Sequence, residues 1–151
     1  MAKLLTAEHL SWVGTKQPPV EVEVTRRDII KYSIATEQVQ EKYLQGDEAP
    51  PMFIFNLFGA LKPLSEMRVD GLPRGGAGPK LPLKRVMAGG TELKLYKPIE
   101  PGDQLIAVQR ITDLFEKAGS SGPLIFTERT LEVKTRTGQL VLQEIQTSIA
   151  R

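Results

Sequence analysis

Between residues 52 and 61 only Asn56 and Gly59 interrupt a run of Met, Phe, Ile, Leu and Ala. A helix that is apolar on every side has no face to offer water, so the run predicts a helix buried by the rest of the chain. Its flanks fit an element over residues 49–64. Pro50 and Pro51 suit a first turn, where a missing N–H costs nothing. Asp47 and Glu48 lie upstream, beside the positive end of the helix dipole. Lys62 falls in the last turn and Pro63 ends it. The run is far shorter than the ~20 apolar residues that span a bilayer. A short helix is marginal in water, so it needs a shell of strands around it.

The remaining pattern supplies that shell. Residues 1–19 read as an irregular lead-in ending in Pro18-Pro19. Residues 20–24 alternate Val, Glu, Val, Glu, Val, the period of a half-buried strand. Thr25 and Asp28 then have the spacing of a capping box. Ile29, Tyr32, Thr36, Val39 and Tyr43, supported by Ile30 and Ile34, continue as one helical stripe that Gly46 closes. From residue 87 onward strands and turns alternate. Strands are expected over residues 91–97, 105–115, 124–134 and 139–149, with turns at 98–103 and 136–138 and a Gly/Ser-rich connection over 116–123. Sequential strands on short connections imply an antiparallel, meander-like sheet. One early strand, an apolar helix and four later strands form an α+β unit in which the sheet wraps the helix, the hot-dog architecture.

Composition narrows the function classes. A chain of 151 residues is most simply one domain. The net charge of +2, evenly mixed, argues against nucleic acid or an acidic membrane as main partner. With no cysteine, disulfides, zinc–thiolate sites and thiol catalysis are excluded. Residues 1–13 carry Lys3, Glu8 and His9 without a long apolar core, so no signal peptide is read and a cytoplasmic location is expected.

Residues 65–86 differ in kind. Gly71, Pro73, Gly75, Gly76, Gly78, Pro79 and Pro82 exclude regular structure over most of the stretch, and Arg68, Arg74, Lys80, Lys84 and Arg85 make it the most basic part of the chain. Such a loop is either a solvated connection or a place where cations meet a phosphate-bearing ligand or a partner subunit.

Val13-Gly14, residues 24–29 (Val-Thr-Arg-Arg-Asp-Ile), Ala49-Pro50-Pro51-Met52-Phe53 and Gly89-Gly90-Thr91-Glu92, followed by Pro98 and Gly102-Asp103, stand in a distinctive order. With the closing Gly138-Gln139-Leu140-Val141 and Ile149-Ala150-Arg151, the chain resembles the N-terminal MaoC-like dehydratase domain family of the hot-dog superfamily over residues 12–151. The resemblance implies (R)-specific hydration or dehydration at C2–C3 of an acyl thioester on CoA or acyl carrier protein, with no further cofactor.

The sequence departs from that family at the residues that carry its chemistry. Removing water from a 3-hydroxyacyl thioester requires abstraction of an α-proton and protonation of a hydroxyl. Catalytic relatives use an Asp-x-Asn-Pro-x-His segment for both. Here the corresponding positions read Glu37-Gln38-Val39-Gln40-Glu41-Lys42. A second register places Gly46-Asp47 on the motif, but Met52 then stands where the His belongs. The sole histidine, His9, precedes the first strand and is read as a surface group. Asp47, Glu48 and Glu66 are read as helix-end or solvated charges, and Ser120-Ser121 as a loop without a base.

The expectation is therefore a non-catalytic subunit of a heteromeric (R)-specific dehydratase or enoyl-CoA hydratase, partnered by a MaoC-like chain that holds the Asp/His pair. Pro51, Met52 and Phe55 would line the acyl tunnel. Gly89 and Gly90 would let the thioester arm approach the backbone, or would simply form a strand-entry turn. Arg74, Lys80, Lys84 and Arg85 are candidates for nucleotide phosphates. Two alternatives stand beside this. One is a homodimeric thioesterase using Glu48 or Glu66 as base; the other is an acyl-binding module without chemistry.

Overall fold

The computed structural model describes residues 3–59, 61–71 and 78–151. Its frame is one five-stranded antiparallel sheet in the order β1-β3-β4-β5-β2. The strands are β1 (Val20–Glu23), β2 (Val86–Leu95), β3 (Gln104–Gly119), β4 (Gly122–Thr135) and β5 (Leu140–Ala150). The last three form the expected meander. β2 instead crosses over to pair with β5, so it occupies an edge rather than the place beside β3. The 116–123 connection is also shorter than expected. β3 and β4 stay paired as far as Gly119 and Gly122, leaving only Ser120 and Ser121 as a tight turn.

The lead-in contains one helical turn, α1 (Ala7–Leu10), and Lys16 bridges to Arg110 on β3. Thr25 caps α2 (Arg26–Ala35) as its spacing predicts, its hydroxyl accepting from Asp28 N at 3.1 Å. The single stripe from Ile29 to Tyr43 is broken in two. Gln38 N donates to Ser33 O and Glu37 N to Ile34 O, a Schellman turn with Glu37 at φ 53°. A second helix, α3 (Glu41–Leu44), follows and ends in the same way at Gly46. The break leaves Val39 and Ile34 exposed; Ile29 and Ser33 of α2 and Tyr43 of α3 are buried, and Tyr32 is partly so.

The apolar run also forms less helix than its composition predicts. Pro51–Phe53 is a 3-10 turn and α4 (Ile54–Leu57) a single α-turn. Phe53 and Ile54 are fully buried, whereas Met52 and Phe55 are each 46% exposed and Leu61 projects into solvent. The helix is wrapped on one side by its own chain and bare on the other. The buried side packs with Val24, Ile29, Ile99, Leu105, Ala107, Val133, Val141 and Leu142. Tyr32 meets Phe53 edge-on, with ring centres 5.5 Å apart.

Two covers therefore lie on one face of the sheet. Cross-strand partners share a face, so Ala107, Val133 and Leu142 form the row beneath α4. Farther along the same strands, Leu114, Ile125 and Ala150 pack under Leu4, Leu5, Leu81 and Leu83. A bulge between Ile111 and Asp113 keeps Leu114 on that face despite the odd spacing.

Candidate functional site

Between the two covers the sheet carries polar residues. Gln109 on β3 pairs across to Leu131 on β4, and Leu131 to Glu144 on β5. Gln146, two residues on, points to the same face. These side chains floor a cleft of about 290 Å³, walled by Pro18, Val20, Ile54, Phe55 and Phe58. An apolar cleft with a few convergent polar groups is the usual form of a small-molecule site.

Glu144 is its unusual member. Only 6% of it is exposed, and its Oε1 is buried without a hydrogen-bond partner among the described residues. Burial raises its carboxyl above the ordinary value of 4.5, with no neighbouring charge contributing. On the next row Arg129 pairs with Gln146, donates to Ser148 Oγ at 3.2 Å, and is lowered from its usual value by its own burial. The sequence reading missed Glu144, Gln109 and Gln146. A signal for the first was present: Glu144 has the parity of Leu142 and Ala150, both buried on the inner face of β5.

The residues expected at the site are dispersed. Phe55 lines the cleft; Pro51 and Met52 lie exposed on the preceding turn. Gly89 and Gly90 stand at a bulge on the β2 edge. A Cβ on Gly89 would lie 3.0 Å from Ile149 Cγ1 and 3.1 Å from Thr147 O, so its missing side chain serves the sheet's own packing, while Gly90 faces open space. Lys80 contributes its carbonyl to His9 Nε2 at 3.1 Å. Arg85 exchanges backbone hydrogen bonds with Arg151, and both border a cavity of about 490 Å³ beside Ser120 and Ser121. Lys84 is exposed, and Arg74 lies outside the described residues.

The other titratable candidates are committed elsewhere. Asp47 pairs with Arg26 at 2.5 Å, Glu48 with Lys42 at 2.8 Å and Glu66 with Lys62 at 3.4 Å, none of them lining the cleft. His9 Nδ1 accepts from Thr6 N at 3.0 Å, which leaves Nε2 to donate to Lys80 O. Its ring thus clasps α1 to the 78–83 segment. No group of three or more metal-ligating side chains occurs among the described residues. No described helix is long and apolar enough to cross a membrane.

A helix laid on an antiparallel sheet, with a part-polar cleft between them, is a hot-dog domain, and comparison with known proteins makes it one of the MaoC-like dehydratase class. More narrowly, the chain belongs to the FAS1-like dehydratase domain region family, whose model matches residues 11–144. It is 27% identical over 122 residues to mesaconyl-C(4)-CoA hydratase of Chloroflexus aurantiacus, an alignment covering 80% of this chain and 43% of that protein. The chain thus spans less than half the length of this curated relative. In fold it is similar to the C-terminally truncated HadBC (3R-hydroxyacyl-ACP dehydratase) complex of Mycobacterium tuberculosis. That likeness has a TM-score of 0.66 at 15% identity and covers 92% of this chain and 97% of that one. It is likewise similar to the ChsH1-ChsH2 complex of the same organism, with a TM-score of 0.66 at 16% identity over 89% and 83% of the two chains. A MaoC-like dehydratase from Phytophthora capsici superposes with a TM-score of 0.70 at 15% identity, over 97% of this chain and 50% of that one.

Proposed function

We propose that this chain is the non-catalytic half of an (R)-specific 3-hydroxyacyl-thioester dehydratase or enoyl-CoA hydratase. It shapes the acyl tunnel while a MaoC-like hot-dog chain supplies the Asp/His pair. One observation carries the reading. The only imidazole in the sequence has both ring nitrogens engaged, by Thr6 and Lys80, and does not line the cleft. Without an acid–base pair at C2 and C3 the chain has no means of moving both protons.

Two features support a partner. Among the described residues β2 pairs only with β5, so its other edge offers backbone groups to a second sheet, and Val86, Met87 and Leu95 on it are exposed. Met52 and Phe55 leave the outer side of the helix uncovered, beside the cleft that Phe55 lines. The HadBC and ChsH1-ChsH2 structures are both complexes, and the hydratase relative is more than twice the length of the matched region. The substrate is an acyl thioester on CoA or acyl carrier protein, and the protein acts in the cytoplasm without a resident cofactor.

Co-expression with a MaoC-like chain bearing the Asp/His motif tests the proposal. The two chains are assayed apart and together for hydration of crotonyl-CoA and longer enoyl-CoA. Activity is expected only in the mixture, and replacing the partner's His should abolish it. Full hydratase activity of this chain alone would overturn the assignment, as would a partner that is fully active and never co-purifies with it.

A further inference from the structure

We propose that Glu144 determines specificity, taking a hydroxyl or carbonyl oxygen carried by the acyl chain beyond C3. The inference rests on the acyl-tunnel reading above and adds the substrate class to it.

Three observations converge on this residue. Its side chain lines the cleft between α4 and the sheet and is more than nine-tenths buried. Its Oε1 has no hydrogen-bond partner among the described residues. The amides of Gln109 and Gln146 border the same cleft, one in the same cross-strand row and one two residues along β5. Apart from Gln17 the walls are apolar, so most of the polar groups lie on the floor. An unpartnered buried carboxyl destabilises a fold, and an apolar residue of similar shape would fit this row better. Leu142, two residues earlier on the same face, is completely buried in that way.

Burial also strengthens the carboxyl's hold on its proton, by desolvation alone. Ionised or protonated, the group accepts from a hydroxyl, and the protonated form donates as well. A buried carboxyl with amides nearby suits a neutral oxygen-bearing group. A purely aliphatic chain would leave the buried Glu144 carboxyl unpaired, and sites built to hydrogen-bond an oxygen reject analogues that lack it.

Calorimetric titration with hexanoyl-CoA and with a panel of hydroxyhexanoyl-CoA esters, substituted in turn at C4, C5 and C6, tests this. The full chain is used, alone and with its co-purified hot-dog partner. At least one hydroxylated ester should bind about tenfold tighter than hexanoyl-CoA, a difference of about 1.4 kcal/mol. E144L should erase that preference by weakening only the hydroxylated ester, and it should melt at a higher temperature than the parent. E144Q should retain most of the preference, because an amide still donates. Hexanoyl-CoA binding as well as every hydroxylated ester overturns the inference and leaves the tunnel reading intact. So does a loss of affinity for both classes in E144L, which would place Glu144 at the thioester, and so does a lower melting temperature, which would make it a structural group. Absence of binding by every ester, with and without the partner, overturns both.

Discussion

Glu37 and Gly46 occupy the same position in two successive helix-ending turns, with φ of 53° and 72°. In each turn the following residue's N–H reaches back five residues, Gln38 N to Ser33 O and Asp47 N to Lys42 O. The two positions differ in space. A Cβ on Gly46 would lie 2.8 Å from Arg26 O and 2.9 Å from Ile30 Cγ1. Gly46→Ala therefore meets both left-handed backbone strain and a clash with α2, and should cost about 2 kcal/mol or more in urea denaturation. Glu37→Gly relieves the strain and should stabilise by up to about 1 kcal/mol, with an unchanged denaturant slope. Equal effects of the two substitutions in the same direction would contradict this account.

Asp103 secures the turn between β2 and β3. Its carboxylate accepts from Lys97 Nζ at 3.0 and 3.1 Å and from Glu100 N at 3.0 Å. The Lys97 and Asp103 side chains are 25% and 18% exposed, so this pair is shielded better than the surface pairs around it. The turn also holds β1, through Val24 N to Asp103 O and Gly102 N to Val24 O. Asp103→Ala should cost about 1–3 kcal/mol, more than Lys97→Met, since the aspartate serves two donors and methionine keeps the aliphatic packing. A double-mutant cycle in urea measures the coupling; an additive result would reduce the pair to an ordinary surface contact.

Glu144 gives stability a pH dependence with a definite sign. Its carboxyl titrates above 4.5 in the folded protein because of burial, so the folded state keeps a proton that the unfolded chain has released. Stability is lost as pH rises from about 4.5 through the folded value, and is level above it. Glu144→Gln removes that loss. The difference in unfolding free energy between E144Q and the parent should therefore grow across this window and then level off. A difference that stays flat from acid to neutral pH would remove burial as the cause.

Ser33 is completely buried in α2, and its hydroxyl has no hydrogen-bond partner among the described residues. Ser33→Ala removes an unsatisfied polar atom and raises helix propensity, so it should leave stability unchanged or raise it by up to about 1 kcal/mol. Thermal unfolding followed by circular dichroism reads this directly. A large loss would mean that the hydroxyl is satisfied in solution.

Local chemistry made much of the fold legible. The Val-Glu alternation of residues 20–24, the Thr25 cap, the paired prolines before the apolar run and the glycine at 138 each force their conformation within a few residues. The extent of the helices was less legible. Apolar periodicity records what can be buried, and Val39, Met52 and Phe55 satisfy the pattern without finding a surface within this chain. The crossover of β2 to β5 was hidden for a related reason, since strand pairing is a choice among partners distant in sequence.

By itself the sequence determined the class of fold, the family resemblance and the lack of an Asp-x-Asn-Pro-x-His segment, because these depend on residue identities and short spacings. Tertiary structure decided which edge remains open, which side of the apolar helix stays bare, and that Glu144 lies unpaired on the floor of a cleft. Burial and pairing are properties of what surrounds a side chain. For Glu144 that surrounding comes from three strands, the central helix and the lead-in, which are brought together only when the chain folds.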